Sequence, residues 1–187
     1  MKAWLRGALA IAACLAPPCL ADDVSARSIY QLAATWTEDN GHSLQLRELA
    51  GEVEVLTFFY TSCEAACPMT VKALQSMKLG PAGSAHARFL LVSVDPEQDS
   101  PAALRRYRRT MKLDKDRWKL LRGPPSDVRK LAALLGFNYE EVDSGQFVHS
   151  NLVTVLNARG EVVHQQSALD GNLAELAAAI RAARTDR

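Results

Sequence analysis

The sequence predicts an α/β sandwich, a central mixed β-sheet flanked by helices, with an N-terminal β-hairpin extension. Three observations carry this. Residues 53–60 and 88–94 are dense in β-branched and aromatic side chains and read as buried strands. Helical patterns follow at 68–77 and from Ser100 onward. The chain then ends in a second hairpin and an amphipathic helix, which makes the sheet mixed.

The elements follow in order. Residues 29–36 and 44–46 flank Asp39-Asn40-Gly41, a strong hairpin-turn signal. The strand 53–60 runs straight into Thr61-Ser62-Cys63, and Pro68 suits the first position of the helix that follows. The strand 88–94 is ended by Asp95-Pro96. Ser100-Pro101 starts the next helix as N-cap and first-turn proline. That helix runs through the basic stretch 105–109, expected as a solvated face with Leu104, Tyr107 and Met111 turned inward. A partner-docking patch is the alternative reading of the same stretch. Residues 118–121 form a short strand, and 126–135 a helix stopped by Gly136. Strands at 152–156 and 161–164 enclose a turn at 157–160, and Asp170 or Asn172 opens a final helix to about Ala183. A redox-type loop set directly between a buried strand and a helix is the organisation of a thioredoxin-like fold.

Composition narrows the function classes. The chain has 187 residues, a formal net charge of +1, 48% hydrophobic residues and 23% charged ones. That suits a single domain and argues against a polybasic nucleic-acid binder or a disordered chain. No apolar run reaches the ~20 residues that span a bilayer. Residues 1–21 combine Lys2 and Arg6, a short apolar stretch, Pro17-Pro18 and the small residues of Cys19-Leu20-Ala21. They read as a secretory signal peptide cleaved after Ala21, which leaves residues 22–187 as one domain in the periplasm. Lipoprotein processing at Ile11-Ala12-Ala13-Cys14 is the alternative. Removing residues 1–21 takes away two basic residues and no acid, which moves the net charge to −1. It also removes two of the four cysteines, Cys14 and Cys19.

The remaining pair carries the chemistry. Cys63-Glu64-Ala65-Ala66-Cys67 beside a helix start sets two sulfurs about one turn apart on one side. The positive helix end favours a thiolate there. Such a pair suits a thiophilic ion, Cu(I) or zinc, and equally a disulfide; redox cycling and metal binding can share the same sulfurs. Two thiolates leave a copper site incomplete, and an imidazole is the best third ligand. His42, His86 and His164 read as surface histidines. His149 lies just before a buried strand, in a loop able to approach the cysteines.

These residues resemble a known family. Tyr60-Thr-Ser-Cys63, Cys67-Pro68, Val92-Ser-Val-Asp95-Pro96 with Asp99 and Pro101, and His149-Ser150 before a strand are similar to the SCO/SenC copper chaperones of cytochrome c oxidase assembly. The resemblance spans about residues 28 to 180. It implies a thioredoxin-like fold and a copper (Cu(I)/Cu(II)) site of Cys63, Cys67 and His149. It also implies action on the copper-site subunit of cytochrome c oxidase, by copper delivery or by thiol reduction. In the thiol-disulfide oxidoreductase alternative, Cys63 and Cys67 form the redox-active pair and a thiol reductant protein supplies electrons. Asp95 is expected as an accessory residue, and Tyr60 and Phe147 as shields of the site. Glu64-Ala65-Ala66 and Ser62 depart from the residues common in the family.

Overall fold

The computed structural model describes residues 25–77, 87–143, 146–168 and 172–184. The proposed signal with Cys14 and Cys19, His86 and Asp170 lie outside the described residues.

The apolar runs become the centre of the sheet. Strand β3 (Val53–Phe59) is buried along its whole length, and β4 (Ala87–Ser93) pairs with it in parallel. Strand β5 (Trp118–Arg122) continues the parallel core on β4, while β8 (Leu152–Leu156) lies antiparallel on the other side of β3. The hairpin of β1 (Thr35–Glu38) and β2 (Ser43–Gln45) adds to β5, and β9 (Val162–Ser167) pairs with β8. The resulting order is β2-β1-β5-β4-β3-β8-β9; the sheet is mixed, as the sequence predicts, and has seven strands among the described residues.

Both faces are covered, because successive strand residues point to opposite sides. Phe59 meets Tyr107 of α2 (Pro101–Met111) at 5.0 Å between ring centroids. Its neighbour Phe58 stacks at 4.3 Å on Phe137, which follows α3 (Pro125–Leu134). Helix α4 (Leu173–Ala183) packs on β3, β8 and β9. At the start of β3, buried Glu54 is ion-paired with Arg88 of β4, whose Nε donates to its carboxylate at 2.7 Å.

Several boundaries differ from the sequence reading, each for a local reason. Residues Ile29–Gln31 form a 3-10 turn and not a hairpin arm, because the Ser28 side chain accepts from the Tyr30 N–H and caps it. Helix α1 spans Ala66–Ser76, so Pro68 is its third residue and not its first. It is tolerated there because the first four N–H groups of a helix have no partner within it. Asn172, not Asp170, is the N-cap of α4, accepting from the Ala174 N–H at 2.9 Å. In α2, Leu104 and Tyr107 are buried and Met111 packs on the core, as expected. The basic stretch is not all solvated face, however. Arg108 makes a two-pronged ion pair with Asp39, both contacts 2.7 Å, and Arg105 donates to the Asp39 carbonyl. Half of the run pins the β1–β2 turn.

One element was missing from the sequence reading. Strands β6 (Tyr139–Asp143) and β7 (Gln146–His149) form a two-stranded antiparallel hairpin outside the main sheet. Among the described residues, no helix is long and apolar enough to cross a membrane.

Candidate metal centre

Cys63 stands in the loop that leaves the carboxyl end of β3, and Cys67 is the second residue of α1. The helix N-cap position is Ala65, whose side chain offers no acceptor. The Cys63 sulfur takes over that office: the Cys67 backbone N–H donates to it at 3.3 Å. Helix-end stabilisation of a thiolate thus falls on Cys63. Cys67 is buried and Cys63 half-buried, both as free thiols.

His149 closes the group from β7. The ligand atoms of Cys63, Cys67 and His149 all lie within 4.8 Å of one another. The His149 Nδ1 sits 3.0 Å from the Ser150 carbonyl. A carbonyl only accepts, so Nδ1 carries a proton and Nε2 is the nitrogen left toward the sulfurs, where it donates to the Cys63 thiolate when protonated and can ligate a metal when not. Three rings hold the imidazole: it stacks on Phe137 at 5.8 Å and meets Tyr60 edge-on at 6.1 Å, and Tyr60 in turn meets Phe147 at 5.1 Å.

The electrostatics separate the two sulfurs. A hydrogen bond from the Cys67 thiol brings Cys63 down to about 3, helped by His149 and by the Cys67 and Ala65 amides, against burial. The same hydrogen bond, with burial, pushes Cys67 well up. His149 is raised, chiefly by its hydrogen bond to Cys63. The hydrogen bonds thus favour the thiolate at Cys63 over Cys67, and favour the charged form of the imidazole beside it.

Comparisons with known proteins identify the family of the chain. The sequence profile described as SCO1/SenC matches residues 26–184. The chain belongs to the SCO1/SenC family. A "SCO1 protein homolog" of Bacillus subtilis is 27% identical over 140 residues, covering 73% of this chain and 72% of the relative. A solved structure from Aquifex aeolicus VF5 superposes with a TM-score of 0.75 at 27% identity, over 86% of this chain and 95% of that one. The structure of Arabidopsis thaliana ScoI with copper bound superposes with a TM-score of 0.72 at 18% identity, over 82% and 97%. At that identity the last likeness concerns the fold.

Around the Cys63–Cys67–His149 cluster opens a cavity of about 1260 Å³, lined by Cys63 and His149 and also by Asp95, Tyr60 and Phe147. Asp95 is buried in its wall but does not join the three-residue cluster. Its carboxylate accepts from the Gln98 N–H at 3.3 Å and is raised by burial. His42 is exposed and His164 pairs with Gln166 at 3.0 Å, and neither belongs to the cluster.

Sequence reasoning found Tyr60 and Phe147 beside His149 but missed its other supports. Phe137 lies between His149 and Phe58, linking the imidazole to the central strand. Ser150 is tied to Asn138 by its N–H at 2.9 Å, and its hydroxyl accepts from the Asn138 N–H at 3.2 Å. Gly136, with φ of 66°, makes the turn that delivers Phe137. Gly136 was visible as a helix stop; the residues after it carried no periodicity that marked them as a support.

Proposed function

We propose that this chain is a periplasmic copper-binding metallochaperone for the copper site of cytochrome c oxidase, holding copper as cargo with Cys63, Cys67 and His149. The observation that carries the reading is the convergence of those three ligand atoms within 4.8 Å. Two thiolates and an imidazole fit copper by donor chemistry: the sulfurs suit Cu(I), and the imidazole extends the set to Cu(II). A structural zinc site would call for a fourth protein ligand. The Ser150 carbonyl fixes the tautomer that presents Nε2, and the cavity beside Cys63 gives a partner room to approach. In this reading residues 1–21 are a signal peptide and residues 22–187 the mature domain, whose partner is the oxidase's copper-site subunit.

Titration of the reduced mature protein with copper under anaerobic conditions tests this. One tight equivalent is expected in wild type and none in Cys63→Ser or Cys67→Ser. His149→Ala is expected to alter the Cu(II) spectrum. An unchanged spectrum removes His149 from the ligand set.

A second reading is favoured by the unequal sulfurs. A half-exposed Cys63 whose thiol is pulled down, beside a buried Cys67 whose thiol is pushed up, is the layout of an attacking and a resolving thiol. In it the pair reduces the oxidase's copper-site cysteines, and a thiol reductant protein restores the pair. Thiol transfer to an oxidised copper-site peptide that survives His149→Ala would select this reading over the first.

A further inference from the structure

Asp99 ends the turn between β4 and α2, and its carboxylate is 1% exposed. Three donors converge on its two oxygens. The Thr61 N–H reaches both at 3.2 Å, the Thr61 hydroxyl donates at 2.5 Å, and the Ser93 hydroxyl donates at 2.5 Å. Ser93 is the last residue of β4, and Thr61 stands two residues before Cys63. The network continues toward the cavity wall. The Ser93 oxygen accepts from the Asp95 N–H at 3.1 Å, and the Asp99 N–H donates to the Asp95 carbonyl at 2.9 Å. Arg122 fixes the same turn from the far side by donating to the Pro96 carbonyl at 3.1 Å.

One buried carboxylate therefore ties three segments together: the end of β4, the turn bearing Asp95 and the loop bearing Cys63. A buried acid is costly to keep unless its acceptors are filled, and here they are. The bonds run to the strand end and to the cysteine loop, so they fix where the loop that bears Cys63 sits on the central sheet.

We propose that Asp99 is the positioning residue of the metal centre, holding the Thr61–Cys63 loop on the end of β4 so that the Cys63 sulfur faces His149. The inference rests on the copper reading for its main readout, but not for its second. Asparagine has the shape of aspartate but no charge and only one accepting oxygen, so Asp99→Asn exchanges at least one charge-assisted bond from Thr61 or Ser93 for a weaker neutral amide contact.

The test compares Asp99→Asn, Thr61→Val and Thr61→Ser with wild type. Circular dichroism and thermal unfolding establish that each variant is folded. Asp99→Asn is expected to weaken Cu(I) binding about tenfold, the scale seen when a group supporting a metal ligand is lost. It is also expected to shift the sulfur-to-Cu(II) charge-transfer band. Thr61→Val keeps the carboxylate but loses the hydroxyl, and should shift the same band in the same direction. Thr61→Ser keeps both donors and should match wild type. Should Asp99→Asn not fold, Thr61→Val decides the matter.

Alkylation of Cys63 by iodoacetamide in the metal-free protein separates this inference from the copper reading. If wild type takes up no copper, the copper reading falls, and a changed Cys63 alkylation rate in the folded variants still supports Asp99. Folded variants with wild-type copper affinity, wild-type spectrum and wild-type alkylation rate overturn it.

Discussion

Cys63 and Cys67 leave the middle of a seven-stranded sheet, whereas His149 stands on a two-stranded hairpin that pairs with none of those strands. The cysteine side is continuous with β3, buried from end to end, and is tied to β4 through Thr61, Asp99 and Ser93. The histidine side is held by ring contacts through Phe137, Tyr60 and Phe147, and by the Asn138–Ser150 bonds. Strand pairing and a filled buried carboxylate resist displacement more than stacked rings on a half-exposed hairpin do. The centre thus joins a firm thiol half to a softer imidazole half. In the proposed role of a copper carrier, a ligand set with one yielding arm would favour release of the metal.

The largest test of that contrast breaks the softer half at its root. Phe137 is 3% exposed, stacks on Phe58 and His149 and meets Tyr139 at a tilt. Phe137→Ala is expected to cost about 3–5 kcal/mol of stability, as for other buried aromatic truncations. Amide hydrogen exchange should then rise first in β6–β7 and leave the central pair β3–β4 protected until global unfolding. Equal loss of protection in both would show that the two halves open as one.

The same contrast governs what was legible in the sequence. The run that forms β3 announces itself by composition, and Cys63 and Cys67 lie directly after it, so the thiol half could be read. Ser100 and Pro101 likewise mark the start of α2, where the Ser100 side chain accepts from the Ala103 N–H at 3.2 Å. The hairpin of His149 was hidden. Its strands are short, Glu140 and Glu141 dilute the apolar signal, and only alternate residues are even half-buried. The alternation of Phe147 and His149 around Val148, after Ser144-Gly145, was the available clue. Asp99 was visible only as part of a family resemblance, because nothing local in a sequence tells a tethering carboxylate from a turn-former.

A mid-sized effect is expected in the pH profile of the thiol half. The hydrogen bond from Cys67 lowers Cys63 to about 3, so its thiolate is expected to persist far below the ordinary thiol range. Iodoacetamide should modify it at a nearly constant rate from about pH 5 to 8, where an ordinary thiol slows roughly tenfold per unit. Cys67, pushed up, should stay unmodified. The stability linked to Cys63 has the matching sign: it is full above the unfolded thiol value and is lost as pH falls toward 3. His149→Ala removes one of the donors to the thiolate, so the onset of reactivity should move to higher pH. Peptide mass spectrometry reads all three outcomes, and an alkylation rate that falls with pH like an ordinary thiol would sink the assignment of Cys63 as the thiolate.

The smallest effect is expected on the outward face of the hairpin, and its smallness is the point. The register pairs Tyr139 with His149 and Glu141 with Phe147, while Glu140 faces Val148 on the opposite side. Side chains alternate across a strand, so His149 and Phe147 share one face and Val148 takes the other. Val148 is accordingly 64% exposed, among the most exposed large apolar residues described. Val148→Thr keeps the β-branched shape that suits a strand and leaves the aromatic contacts of the inner face in place. Its effect on stability should stay within about 0.5 kcal/mol, with copper affinity and spectrum unchanged. If the softness of the imidazole half resided in the hairpin as a whole, this substitution would shift the Cu(II) spectrum as His149 support variants do. If it resides in the inner face alone, through Phe137 and Tyr60, the two sides of one strand separate cleanly: substitutions at 148 silent, substitutions under 149 not.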